Sequence, residues 1–149
     1  MKMVIQRVRS ARVWVDDQVV GEIDVGLLVL LCIEKGDTRE QVTYWAQRLP
    51  VLRVFNDEHH KMNRSLRDVG GAVLVVSQFT LTANLREKGR RPSFSGAAPP
   101  EEAQPLIDLF VETLRQQGVP VATGRFGAMM QVELVNDGPV TFMVDDPAR

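Results

Sequence analysis

The stretch Gly70-Gly71-Ala72-Val73-Leu74-Val75-Val76-Ser77-Gln78-Phe79-Thr80-Leu81 decides how the rest of the chain is read. Paired glycines open it, a β-branched run from Val73 to Val76 follows, and the polar residues Ser77 and Gln78 break the run. Branched side chains favour the pleated backbone, so the run predicts a central strand that delivers Ser77 to Leu81 at its C-terminal end. Upstream, Met3 to Val8, Ala11 to Val15, Val19 to Ile23 and Leu27 to Ile33 read as further strands, separated by Ser10, Asp16-Asp17 and Gly26. Asp16-Asp17-Gln18 reads as a hairpin turn, and Val13 and Val15 alternate with Arg12, Trp14 and Asp16 at the two-residue period of a half-buried strand.

Two helices interrupt the strands. Thr38 followed three residues later by Gln41 has capping-box spacing, and Val42, Trp45, Ala46 and Leu49 then share one face up to Pro50, which predicts the end of the helix. Val51 to Phe55 reads as a strand and Asn56-Asp57-Glu58 as a turn. The second helix carries Ala103, Leu106, Ile107, Phe110, Val111 and Leu114 at helical spacing, with Gly118 as its stop. Pro105 fits if the first turn starts near Glu101 or Glu102, where a missing amide has no intrahelical partner. Between the central strand and this helix, residues 82 to 98 form a long excursion rich in Gly, Pro and Ser, the kind of loop that is functional or mobile in a small domain. Met129 to Val135 and Val140 to Val144 read as the last strands, with Asn136-Asp137-Gly138-Pro139 between them as a hairpin turn. Sequential strands with two interspersed helices, and no linker or internal repeat, argue for a single α+β domain over residues 1–149.

Composition narrows the function. A chain of 149 residues with 44% hydrophobic and 25% charged residues is ordinary for a globular domain. No segment approaches the ~20 apolar residues of a membrane span, and the first residues lack a signal-peptide core, so cytoplasmic residence without membrane association is expected. Net charge of −1 leaves no global footprint for long duplexes, which argues against DNA as a partner and limits any nucleic-acid contact to a local one. The one local source of positive charge is Arg86-Glu87-Lys88-Gly89-Arg90-Arg91-Pro92, by itself a solvated loop. Cys32 lies in an apolar run and reads as a core thiol. His59 and His60 are adjacent in a polar stretch, which suits neither a Ser/His/Asp arrangement nor metal-ligand spacing, and no Gly-rich phosphate loop is present. No metal and no cofactor are expected.

Two motifs point further. Ser77-Gln78-Phe79-Thr80-Leu81 and Asn136-Asp137-Gly138-Pro139-Val140-Thr141, together with Ile5-Gln6-Arg7-Val8 and Gly124-Arg125-Phe126-Gly127, resemble the D-aminoacyl-tRNA deacylases over nearly the whole chain. Lys61-Met62-Asn63 and Gly89-Arg90-Arg91-Pro92-Ser93-Phe94 match as well. The resemblance implies a twisted, largely antiparallel or mixed, barrel-like sheet with two main helices packed on it. It also implies a homodimer that removes D-amino acids from the 3′ end of tRNA. The segment Ser77, Gln78, Phe79 and Thr80 would line the pocket, with the amides around Phe79 and Thr80 facing the scissile carbonyl. Gly138-Pro139, with a cis bond, would project carbonyls into the partner's pocket and exclude L side chains, and Arg7 would brace it. Arg90 and Arg91 become candidate phosphate contacts, and Phe94 and Phe126 candidate stacking partners of the terminal adenine, although such aromatics are more often core.

The implied chemistry is consistent with what the residues lack. A hydrolase without a histidine base or a metal suits a substrate that is already reactive, and an aminoacyl ester with a neighbouring 2′-hydroxyl is one. Fixed backbone amides then stabilise the oxyanion, with about 3 to 4 kcal/mol for one donor. Discrimination on the order of 10⁴, about 5.5 kcal/mol, exceeds the ~1 to 3 kcal/mol that a missing methylene supplies, so rigid exclusion is the expected device. Glycine has no side chain to exclude, and glycyl-tRNA should therefore also be hydrolysed. Two alternatives remain open at this point: a small-ester hydrolase with Thr80 as nucleophile, and a non-catalytic tRNA-end binding module.

Overall fold

The computed structural model describes residues 1–148. In chain order its elements are strands β1 (Lys2–Val15), β2 (Gln18–Ile23) and β3 (Gly26–Cys32), helix α1 (Arg39–Arg48), strands β4 (Phe55–Asn56) and β5 (Met62–Arg64), helix α2 (Leu66–Val69), strand β6 (Ala72–Ser77), helix α3 (Pro100–Gln116), and strands β7 (Val121–Thr123) and β8 (Gln131–Asp145). The architecture is α+β. One mixed sheet runs in the order β2-β1-β3-β6-β7, with β8 added along β1. As the valine run predicts, β6 is central: it pairs in parallel with β3, from Gly26 opposite Ala72 to Leu31 opposite Ser77, and in parallel with β7.

Strand β6 is buried on both faces because it separates two cores. Val73 and Val75 join Leu27, Leu31, Val42, Ala46, Phe110 and Leu114 between the sheet and helices α1 and α3. Leu74 and Val76 join Val8, Val13, Val15 and Ile23 on the inner side of the curled sheet. Full burial of each such side chain contributes about 1.5 to 3 kcal/mol, so both faces of β6 are held firmly. The sheet curls until β2 meets β7. At that seam a Cβ on Gly21 would lie 2.2 Å from the carbonyl oxygen of Thr123, so only glycine allows the approach.

Local signals were realised where they were local. Thr38 caps α1, its hydroxyl accepting from the Gln41 amide while the Gln41 side chain accepts from the Thr38 amide. Asp16 and Asp17 both take positive φ in the β1–β2 turn. Gly118, at φ +80, follows the end of α3.

Several expectations are corrected. Met3–Val8 and Ala11–Val15 are one strand: β1 continues through Ser10 and pairs with β3 along its first half and β2 along its second. Irregularities around Val8 reverse the inward parity, so that Met3 and Ile5 face the helices whereas Ala11, Val13 and Val15 face the inner core. Val51 to Phe55 is not a strand. Pro50 sits in a 3-10 turn, Leu49–Val51, and only Phe55–Asn56 pairs, in a small hairpin with β5. Helix α3 starts at Pro100, which places Pro105 inside it; the carbonyl deprived of its partner belongs to exposed Glu101 and can be solvated. The last two strands are also one. β8 pairs antiparallel with β1 from Asp145 opposite Lys2 to Gln131 opposite Trp14, so Asn136-Asp137-Gly138-Pro139 is no hairpin turn.

Candidate active site

Strand β6 ends at Ser77, and the chain turns at once. Gln78 donates its amide to the Leu31 carbonyl at 2.8 Å, the last bond of the parallel ladder, and Phe79–Thr82 forms a 3-10 turn. The first amides of such a turn have no acceptor within it. Those of Phe79 and Thr80 take none elsewhere among the described residues. Both residues line a cavity of ≈ 670 Å³, together with Ser77 and Gln78, with Ala98 and Ile107 near the start of α3 and along it, and with Phe126 to Met130. The lining is mostly apolar, so a charge developing there would meet few polar groups besides those amides.

The turn is braced from below and from the side. Thr82 donates its hydroxyl to Glu34 Oε1 at 3.1 Å. Cys32 is buried beneath it, with Sγ 3.5 Å from the Phe79 carbonyl oxygen. Burial and the neighbouring Glu34 carboxylate push this thiol up to about 11. Phe79 is 54% exposed and meets Phe94 edge to face, ring centres 5.2 Å apart, which ties the turn to the 82–98 excursion. The Thr80 hydroxyl accepts from the Gln78 side-chain amide. An amide N–H cannot take a proton from a nucleophile, so Thr80 has no base beside it.

Phe126 is half-buried, packs against the helix-side core and also lines the cavity. Arg90 and Arg91 are exposed in the excursion. His59 and His60 lie exposed on the β4–β5 turn, apart from the cavity lining. No group of three or more His, Cys, Asp or Glu side chains suited to a metal occurs among the described residues.

The second motif forms a bulge. Between the pairs Gln6–Thr141 and Val8–Asn136, β1 contributes Arg7 alone whereas β8 contributes residues 137 to 140. The surplus bows outward, with Gly138 and Pro139 exposed and the Gly138–Pro139 peptide cis. Asn136 closes the mouth of the bulge: its Oδ1 accepts from the Val140 amide at 2.7 Å, and its Nδ2 donates to Thr141 Oγ1 at 3.1 Å. Arg7 lies beneath, only 5% exposed, and its Nε donates to the Asp137 carbonyl at 2.9 Å. An arginine on a strand face is ordinarily solvated; this one is buried because three acceptors meet its planar fork.

The fold thus brings Ser77, Gln78, Phe79, Thr80 and Phe126 to one cavity and Arg7, Gly138 and Pro139 to another place. No residue of the bulge lines the cavity of its own chain. Sequence reasoning missed Asn136 as the clip across the bulge and Glu34 as the brace of the turn. An asparagine three residues before a proline was the only local signal for the first, and nothing local signals the second.

Comparisons with known proteins give the chain its relatives. Residues 4–145 match the family model described as D-Tyr-tRNA(Tyr) deacylase. A D-aminoacyl-tRNA deacylase of Geobacter sulfurreducens is 55% identical over 149 residues, covering 100% of this chain and 97% of that protein. One from Chloroflexus aurantiacus is 59% identical over 145 residues, covering 97% and 90%. Among solved structures, one titled c-Myc DNA Unwinding Element Binding Protein superposes with a TM-score of 0.90 at 40% identity, over 99% of this chain and 100% of that one. A probable eukaryotic D-amino acid tRNA deacylase shares the fold, with a TM-score of 0.84 at 19% identity over 97% and 98%. By sequence along almost its full length, the chain belongs to the D-Tyr-tRNA(Tyr) deacylase family.

Proposed function

We propose that this chain is a cytoplasmic D-aminoacyl-tRNA deacylase that works as a homodimer, hydrolysing the ester between a D-amino acid and the 3′ end of tRNA. The observation that carries the reading is the pair of unpartnered amides at Phe79 and Thr80, two residues that line a largely apolar cavity. Water attacks the ester carbonyl; the carbonyl oxygen gathers negative charge, which the two amides receive; the C–O bond to the ribose breaks and the ribose oxygen takes up a proton. No side chain at the turn serves as a base, so the neighbouring 2′-hydroxyl of the tRNA assists the water or the leaving oxygen. Phe94, Phe126, Arg90 and Arg91 are assigned to the tRNA end, the aromatics to its adenine and the arginines to its phosphates.

The exposed Gly138–Pro139 bulge is assigned to the partner subunit's cavity, where its backbone excludes an L side chain. Three features support a second copy. The bulge is exposed and absent from the lining of its own cavity. Strand β8 has no ladder partner beyond β1 among the described residues, and a bare edge of 15 residues is what natural proteins cover. Val135, Phe142 and Met143 are exposed along the same strand, the last at 78%. Because exclusion acts on a side chain, glycyl-tRNA is also a substrate.

The experiment is a paired time course on D-tyrosyl-tRNA and L-tyrosyl-tRNA with EDTA-treated protein, with glycyl-tRNA as a third substrate. Rapid loss of the D and glycyl esters alone is the expected result. Loss of all three esters would indicate a general esterase, and loss of none a binding module.

A further inference from the structure

The β4–β5 hairpin has no part in the reading above, yet its exposed turn is closely tied by hydrogen bonds. Its turn is organised by Asp57. The amides of His59 and Lys61 donate to Oδ1 at 2.8 and 3.0 Å, and Asn63 Nδ2 donates to Oδ2 at 2.8 Å. These donors, Asn63 first, hold the Asp57 carboxyl below the usual carboxylate range. The backbone closes the same turn, the Asp57 amide donating to the Lys61 carbonyl at 2.7 Å. This accounts for Lys61-Met62-Asn63, a stretch of the sequence resemblance to which the proposed function gives no role.

What the rigid turn holds is Asn56 and the chain leading to it. Arg7 Nη1 donates one N–H to the Val54 carbonyl at 2.9 Å and the other to Asn56 Oδ1 at 3.1 Å. A guanidinium is planar, so two acceptors on Nη1 fix its plane and with it the direction of the Nε–H bond. That bond is the one the Asp137 carbonyl accepts. On the same guanidinium, Nη2 lies 3.2 Å from where a Cβ on Gly138 would stand, so the group also forms the floor under the bulge. A chain of contacts therefore runs from the hairpin through Asn56 and Arg7 to Asp137 and Gly138, joining segments that are remote in sequence.

We infer that Asn56 is a positioning residue for the Gly138–Pro139 bulge, acting through Arg7, and that the β4–β5 hairpin thereby sets the preference for D over L substrates. The inference rests on the reading of the bulge as the excluding element. With Asn56 removed, Nη1 keeps only the Val54 carbonyl, just ahead of the hairpin, and the guanidinium is free to pivot about it and carry the Asp137 carbonyl along. Asn56 is itself exposed, so a substitution there leaves both cores in place.

The test compares Asn56→Leu, Asn56→Asp and Gly138→Ala in the full-length protein, by two readouts: kcat/KM on D- and L-tyrosyl-tRNA, and 15N relaxation of the Gly138 amide. Expected for Asn56→Leu is a melting temperature lowered by only a few degrees with cooperative unfolding retained, a more mobile Gly138 and a D-over-L ratio lower by about tenfold, the scale of one lost charge-assisted hydrogen bond. Asn56→Asp keeps an acceptor oxygen for Arg7 and restores both readouts. If Asn56→Leu leaves Gly138 as rigid as before, or leaves the ratio unchanged while Gly138→Ala lowers it, the inference is overturned, and a lowered ratio in Gly138→Ala keeps the bulge as the excluding element. If Gly138 loosens and neither variant moves the ratio, the bulge is not the excluding element and the role of Asn56 in selectivity falls with it.

Discussion

The turn after β6 and the bulge in β8 are both short polar interruptions, but they are held in opposite ways. The turn continues a strand buried on both faces, so its position follows from apolar packing spread over many side chains. The bulge has no such foundation. Four residues stand opposite Arg7, and their shape depends on a few hydrogen bonds from Arg7 and Asn136. Distributed packing tolerates the loss of one contact, whereas a polar clamp of few members does not. Substitutions around the bulge should therefore change selectivity sharply, and substitutions of side chains at the turn should change rate only mildly.

The largest effect is expected from Gly138→Ala. The residue has φ +144, and its Cβ would stand 2.6 Å from Val140 Cγ2 and 2.9 Å from the Val140 nitrogen. The bulge must move, and the D-over-L ratio of kcat/KM should fall on the order of 10²-fold. An unchanged ratio would remove the bulge from the account of selectivity.

Next is Arg7→Ala, which leaves three acceptors without their donor and should lower stability by about 3 kcal/mol in urea unfolding. A loss no greater than that of an exposed arginine would break the contrast between clamp and packing. Arg7→Lys should recover only part of the loss, because an ammonium cannot span the same acceptors.

On the turn side, Cys32 offers a pH test. Its folded-state pKa of about 11 lies above the unfolded value of about 8.5, so the neutral thiol contributes stability fully below that unfolded value. The contribution is lost as pH rises through the folded pKa, between about 8.5 and 11. The alkaline slope of stability should shrink in Cys32→Ala, and a thiol reagent at pH 8 should label the native protein only after unfolding. Prompt labelling of the folded protein would show that the turn is less firmly seated than its packing implies.

The smallest effect is expected at Thr80→Ala. The backbone amide survives the substitution, so deacylation should fall by less than about tenfold. Complete loss with trapping of a covalent intermediate would instead make Thr80 the nucleophile.

Much of this architecture was legible in the sequence wherever its cause was local. The valine run named its own strand, Thr38 and Gln41 their own cap, and the spacing from Ala103 to Leu114 its own helix face, because each depends on neighbours within a few residues. The motif Ser77-Gln78-Phe79-Thr80 could be placed at a strand end for the same reason. The bulge could not be read in this way. Asn-Asp-Gly-Pro between apolar runs carries the local chemistry of a hairpin turn, and only the register of β8 against β1, across more than a hundred residues, shows that the strand continues.

What the sequence determined by itself was the kind of protein: strands, caps, and two motifs that mark the family. The tertiary structure alone decided where those motifs lie. It placed the turn on its own cavity and the bulge outside that cavity, and it buried Arg7 between a hairpin and a bulge that no local pattern links. The physical reason is that local structure follows from propensity and capping within a few residues. The position of Arg7 among its three acceptors follows instead from long-range pairing and from the rule that a buried charge must find partners.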